Sequence, residues 1–196
     1  MSIEIERKFL LKDPNWRPSG QPDELVQGFY KLGEEARGEI TDSPFGVIFI
    51  LNDNARIPLL PEHADDLKIL AAELGGPFPA GWKARVRKRN ESYVFDLKGP
   101  RSGTTRLEFD ENPLPRDIGE VLLQGCGATL LRKQRYHIDV AGKLWSLDVY
   151  GPPHEGLVVA EVELSSAHEK LVLPDWAGEE ITDRKLFGKS PAAPKP

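Results

Sequence analysis

Along much of this chain, charged and apolar side chains alternate at every second position, a pattern that extended strands sort onto two separate faces. In the opening stretch Glu4, Glu6 and Lys8 fall on one side, with Ile3, Ile5 and Phe9 on the other beside Arg7. The split recurs. Arg85 and Arg87 oppose Ala84 and Val86; Arg106, Glu108 and Asp110 oppose Leu107 and Phe109; Glu161 and Glu163 oppose Val162 and Leu164. Lys133 and Arg135 share a face, Lys98 follows Leu97, and Asp148 lies between Leu147 and Val149. A solvated outer face accounts for any one such strand. Repetition argues against it, because these faces carry pairs and triplets of carboxylates, and carboxylates two apart repel unless a cation lies between them.

If the sheet closes into a barrel with its apolar side chains outward under helices, the charges point inward. The inward set is then seven acids (Glu4, Glu6, Glu108, Asp110, Asp148, Glu161, Glu163) and seven bases (Lys8, Arg85, Arg87, Lys98, Arg106, Lys133, Arg135). A dry interior does not hold such a set, since each ion costs several kcal/mol to desolvate without excellent pairing. The interior is wet, or filled by something charged.

The alternation predicts about eight strands, at 3–10, 25–32, 82–88, 92–98, 105–110, 131–140, 143–150 and 157–164. Two stretches have helical spacing: 61–74, with Leu67, Leu70, Ala71 and Leu74 in step, and 116–124, stopped by Gly125 and Gly127. A shorter helix is expected near 166–170. The proline-rich tail, 190–196, is read as disordered.

A chain of 196 residues fits one domain. Its net charge of −5 argues against a nonspecific nucleic-acid binder. Cys126 is the single cysteine, which excludes an internal disulfide and suits a reducing compartment. With an acidic opening where a signal peptide is basic and then apolar, and no apolar run near the ~20 residues of a membrane span, a cytoplasmic protein without membrane association is expected.

At this point the residues resemble a known family, the CYTH superfamily or triphosphate tunnel metalloenzymes. The amino-terminal E-I-E-R-K-F is similar to the family signature. Further blocks follow in the family's order: K-A-R-V-R-K-R at 83–89, L-K-G at 97–99, R-L-E-F-D at 106–110, K-Q-R-Y at 133–136, S-L-D-V-Y at 146–150, L-V-V-A-E-V-E-L at 157–164 and L-P-D-W-A-G-E-E-I-T at 173–182. The resemblance implies an α+β fold built on an eight-stranded antiparallel β-barrel, a triphosphate tunnel with a charged interior and helices packed outside. It implies one domain over 1–189, with an insertion at about 33–81 that relatives lack. The apolar run 47–51 and the 61–74 helix suggest that this insertion packs on the outer wall; a lid or a homodimer surface stays open for it.

The same resemblance implies binding of Mg²⁺ or Mn²⁺ by Glu4, Glu6, Glu161 and Glu163, with Glu108, Asp110 or Asp148 contributing, in keeping with the oxygen ligands these hard cations prefer. Lys8, Arg85, Arg87, Lys98, Arg106, Lys133 and Arg135 would grip phosphate oxygens, and Arg184 and Lys185 would lie at the tunnel mouth. The implied activity is metal-dependent hydrolysis of the terminal phosphate of inorganic triphosphate or a small triphosphate-bearing compound, with Glu4 and Glu6 essential. In some bacterial members the lysine matching Lys98 forms a base dyad with a tyrosine of a Q-G-Y block. Neighbouring arginines would lower its pKa, while plain phosphate binding explains the residue equally. Here the block reads Gln27-Gly28-Phe29-Tyr30, without a hydroxyl at the aligned position, and Tyr30 falls on the opposite face. An adenylate cyclase of the same fold and a non-catalytic triphosphate or polyphosphate binder are the alternatives.

Other motifs reduce to structure. Gly99-Pro100-Arg101-Ser102-Gly103 lacks the ending of a phosphate-binding P-loop and reads as a turn; Gly125-Cys126-Gly127 follows a helix and reads as its cap. The four histidines lack metal-ligand spacing, and His137 alone shares parity with Lys133 and Arg135.

Overall fold

The computed structural model describes residues 2–53, 55–127, 130–182 and 184. Among these residues are twelve strands and two helices: β1 (Ser2–Leu11), β2 (Asp23–Lys31), β3 (Gly38–Ser43), β4 (Gly46–Leu51), β5 (Ala55–Pro58), α1 (Pro61–Leu74), β6 (Lys83–Arg89), β7 (Ser92–Lys98), β8 (Thr105–Leu114), α2 (Arg116–Gly125), β9 (Leu131–Val140), β10 (Lys143–Tyr150), β11 (Val158–Glu163) and β12 (Ala177–Glu180). The large sheet runs β11-β10-β9-β2-β6-β7-β8-β1-β12, and an additional β11–β1 pairing closes eight antiparallel strands into a barrel. This is the α+β class expected. No described helix is long and apolar enough to cross a membrane.

The chain divides into two compact units. The first comprises Met1–Ile3, Val26–Pro100 and Arg106–Leu130. Its β6, β7 and β8 turn Ala84, Val86, Tyr93, Phe95, Leu97 and Phe109 into one apolar core, which the 33–81 insertion covers. That insertion builds a second sheet, β3-β4-β5, and α1. Its Phe49, Leu51, Ile57, Leu67, Leu70 and Phe78 join the same core, Phe49 standing 5.1 Å from Phe95 between ring centroids. Residues 33–81 thus pack on the apolar face of β6, β7 and β8. Pro61 opens α1, where a missing N–H costs nothing, and Gly75 closes it in left-handed backbone (φ 73°). On the same core α2 buries Leu122 and Leu123. Gly119 is required there, because a Cβ would meet the Tyr93 ring at 2.4 Å.

The second unit comprises Glu4–Leu25, Arg101–Thr105 and Leu131–Pro196. Phe9, Trp145, Leu147, Ala160 and Val162 form its core, closed by Trp176, which stacks on Trp16 and meets Trp145 edge-on. Full burial of side chains of this size contributes about 1.5–3 kcal/mol each. Ala141 and Gly142, both at positive φ, make the two-residue turn between β9 and β10, in register Val140↔Lys143.

The expected strands and the two long helices form within a few residues of their predicted limits. The apolar run 47–51 of the insertion, read as a strand, forms β4; three further strands, β3, β5 and β12, were not expected, and residues 166–170 form a turn instead of a helix. Glu169 folds back to accept the Ser165 N–H at 2.5 Å, and five residues are too few to offset helix nucleation. Lys185 and the 190–196 tail lie outside the described residues.

Candidate functional site

Each unit carries its own cluster of ions on the strand faces opposite its core, buried or half-buried except for the exposed Glu163. In the first, β6 contributes Arg85 and Arg87, β7 contributes Asp96 and Lys98, and β8 contributes Arg106, Glu108 and Asp110. Arg85 Nε donates to Asp96 at 2.6 Å and lies 3.6 Å from Asp110. Arg87 pairs with Glu111 at 3.0 Å and reaches Asp96 at 4.0 Å. Lys98 Nζ is bound to Glu108 and stands 3.6 Å from Asp110, while Arg106 takes the other Glu108 oxygen. Glu108 and Asp110 are thus both held by the Lys98 ammonium.

Asp96 is fully buried, and sequence reasoning missed it. Between Phe95 and Leu97 the β7–β8 register shifts, leaving Asp96 opposite a bulge at Asp110 and Glu111. Glu111 sits in left-handed backbone (φ 57°), and its N–H is accepted by Asp96 Oδ1 at 2.8 Å. Burial opposes ionisation of Asp96, but Arg85, then Arg87 and Lys98, outweigh it and bring its pKa down to about 2. Parity with Lys98 was the available signal.

In the second unit Glu4, Glu6 and Lys8 of β1 share a face with Glu161 and Glu163 of β11. The antiparallel register sets Glu6 opposite Glu163 and Lys8 opposite Glu161. Lys8 is bound to Glu161 and lies 3.0 Å from Glu6. Attraction to these two acids outweighs burial and raises its pKa; Lys8, Lys133 and Arg135 hold Glu161 well below the usual carboxylate range. On the adjoining strands Arg135 grips fully buried Asp148 through two hydrogen bonds, 2.7 and 2.6 Å, and reaches Glu161 at 3.1 Å. Lys133 is also bound to Asp148, but burial and the nearby Arg135 together push its pKa down to about 8. Arg101, set aside above as part of a turn, is bound to Glu6 and lies 3.5 Å from Glu4.

Arg184 is not gathered into either cluster; it is exposed and pairs with Glu179. His137 stands at the surface, 3.3 Å from Asp23. In β2, a Cβ on Gly28 would fall 2.4 Å from Cys126 Sγ, so this position approaches α2 closely. Tyr30, on the same side, donates to the Leu122 carbonyl at 2.6 Å, and burial raises its phenol pKa. Phe29 takes the other side, its ring 5.9 Å beneath the Lys83 ammonium. The tyrosine therefore faces away from the charged residues, as its parity indicated.

Whether the acids suit a divalent metal ion can be judged on their oxygens. Glu4, Glu6, Glu161 and Glu163 lie on one face of paired strands, two of them directly opposed, which fits a hard cation. Among the described residues no three acid, histidine or cysteine side chains form a ready-made metal-holding group. Arginine and lysine hold Glu4, Glu6 and Glu161 instead.

No family model matches the chain. It is 34% identical over 98 residues to the inorganic triphosphatase of Acetivibrio thermocellus, spanning 50% of this chain but only 63% of that protein. To the inorganic triphosphatase of Nitrosomonas europaea it is 30% identical over 108 residues, 53% of this chain and 69% of the relative. Among solved structures, the hypothetical protein NE1496 superimposes with a TM-score of 0.51 at 22% identity, covering 94% of this chain and 93% of its own, a likeness of fold. With the ordered sequence blocks, the closed eight-stranded sheet and these relatives together, the chain belongs to the CYTH superfamily.

Proposed function

We propose that this protein hydrolyses the terminal phosphate of inorganic triphosphate, or of a small triphosphate-bearing compound, with Mg²⁺ or Mn²⁺ held by Glu4, Glu6, Glu161 and Glu163. The observation that carries the reading is the opposed pair Glu6 and Glu163 beside Lys8 and Glu161, in a family whose two matched relatives are named inorganic triphosphatases. Bound there, the ion would neutralise phosphate charge and polarise phosphoryl oxygens.

The chain's own part is to bind and orient. In the first unit Arg85, anchored on a buried aspartate, offers a planar fork to phosphate oxygens beside Arg87 and Arg106; in the second Arg135, likewise anchored, does so beside Lys8 and Lys133. Lys98, between Glu108 and Asp110, serves better as a phosphate-binding ammonium than as a base. Water then attacks the terminal phosphorus in line, with the developing charge met by these cations and little covalent chemistry asked of the protein.

Tripolyphosphate, ATP and thiamine triphosphate, each with Mg²⁺ or Mn²⁺, form the test. Phosphate release from tripolyphosphate, lost in EDTA and in Glu6→Gln, is expected; cyclic AMP from ATP would move the assignment to a cyclase. The position of Phe29 beneath Lys83, without a hydroxyl, favours a second reading as a non-catalytic triphosphate binder. Tight binding of tripolyphosphate with no product under any metal would establish that reading over hydrolysis.

A further inference from the structure

Glu4 and Glu6 are two residues apart on one strand face, and Glu6 also faces Glu163 across the ladder. Carboxylates so placed need positive charge between them. Lys8 and Arg101 both supply it, and they differ in how they are held. Lys8 belongs to β1 itself, a strand hydrogen-bonded to β11 and β12, and its ammonium is also bound to Glu161. Arg101 comes from the connection between β7 and β8. It immediately precedes a tight turn in which Ser102 and Thr105 exchange backbone hydrogen bonds of 2.8 and 3.0 Å around Gly103 (φ 58°). Its guanidinium is a quarter exposed; besides the two glutamates it makes a 3.4 Å contact to the Thr104 carbonyl.

We propose that Arg101 is a displaceable counter-ion, holding Glu4 and Glu6 in the metal-free protein and competing for them with the divalent cation. The inference rests on the metal reading above and adds to it a residue that sets the affinity of the site. A guanidinium spreads one charge over a fork matched to carboxylate oxygens. A divalent ion needs those oxygens directly and brings twice the charge, so the two exclude one another. Metal binding then releases the Arg101 guanidinium from Glu4 and Glu6. The apparent metal affinity is reduced by the fraction of the protein in which the arginine is seated.

Calorimetric titration of Mn²⁺ into the full chain, with no phosphate compound present, tests this. Arg101→Gln is expected to bind Mn²⁺ about tenfold more tightly than wild type, equivalent to ~1.4 kcal/mol. Arg7→Gln is the charge-matched control, since Arg7 pairs with Glu180 and lies on the opposite face of β1; its affinity should stay within about twofold of wild type, the size of a screened, long-range effect. Equal tightening in both variants would overturn the proposal by showing a general charge effect. If Glu6→Gln abolishes binding while Arg101→Gln stays at the wild-type affinity, the metal reading survives and the competition does not. If neither wild type nor any variant binds Mn²⁺, the metal reading falls and takes this inference with it.

Discussion

Asp96 offers the sharpest test of how the charged faces are supported. Asp96→Ala removes the acceptor of Arg85 Nε at 2.6 Å and of the Glu111 N–H at 2.8 Å, and strips Arg87 of a partner at 4.0 Å. Breaking a buried ion pair from one side costs about 3–5 kcal/mol, and the orphaned bulge N–H adds about 1–3 kcal/mol. Asp110, 3.6 Å from Arg85, offsets part of this, so a net loss of ~4 kcal/mol is expected. At about 2–4 °C per kcal/mol for a chain of this length, the melting temperature should fall by roughly 8–16 °C. Asp96→Asn, which keeps one acceptor, should lose about half as much.

The pH dependence carries the same argument with a definite sign. The Asp96 pKa is lowered from 3.8 to about 2 in the folded protein, so its stabilisation is fully present above the unfolded value and disappears as pH falls through the folded one. The drop corresponds to roughly 2.5 kcal/mol at about 1.36 kcal/mol per pH unit. Since the asparagine does not titrate, the stability gap between wild type and Asp96→Asn should narrow by about 1 kcal/mol between pH 7 and pH 3. Urea unfolding followed by tryptophan fluorescence reads both quantities. A loss below about 1 kcal/mol for the alanine variant, or a gap unchanged with pH, would refute the view that Asp96 anchors Arg85.

Tyr30→Phe should lower stability by ~1 kcal/mol through loss of the bond to the Leu122 carbonyl and leave triphosphate turnover unaltered; a turnover drop beyond about tenfold would place Tyr30 in the chemistry after all. Phe49→Ala, at a fully buried ring flanked by Phe78 and Phe95, should cost about 3–5 kcal/mol in thermal unfolding. A loss under about 1 kcal/mol would mean that the insertion is an independent ornament. Glu4→Gln should match Glu6→Gln in abolishing metal-dependent turnover while circular dichroism stays unchanged; full turnover would count against the carboxylates as metal ligands.

The strands were legible because their two faces differ so sharply in charge, whereas the opposition of Glu6 to Glu163 emerged only with the strand register. β12 was not, because Ala-Gly-Glu-Glu has no alternation to detect and is held by pairing with Phe9 and Leu11. β8 was cut short at Asp110 for a related reason. The bulge at Glu111 slips the phase, so that Leu107 and Phe109 face the core before it and Asn112 and Leu114 are buried after it. Asn112 there serves the insertion, accepting from Leu60 N–H and donating to the Pro58 carbonyl. Such a phase change erases periodicity without weakening the strand. Arg101 escaped notice on other grounds, since a residue in a turn finds its partners through loop geometry, and no spacing rule connects it with Glu4 and Glu6.

The anchoring of Arg85 on Asp96 and of Arg135 on Asp148 bears on how such a surface meets a polyanion. A free arginine side chain carries about 2 kcal/mol of rotamer entropy, which an unanchored phosphate site would surrender at each binding event. Here the rotamers are chosen once, during folding, and the aspartates act as a permanent mould. Association should then show a small conformational-entropy term and an enthalpy dominated by new contacts to phosphate oxygens, with the carboxylate anchors kept. Calorimetry can separate the two by comparing wild type with Asp96→Asn, whose Arg85 must find its place anew each time.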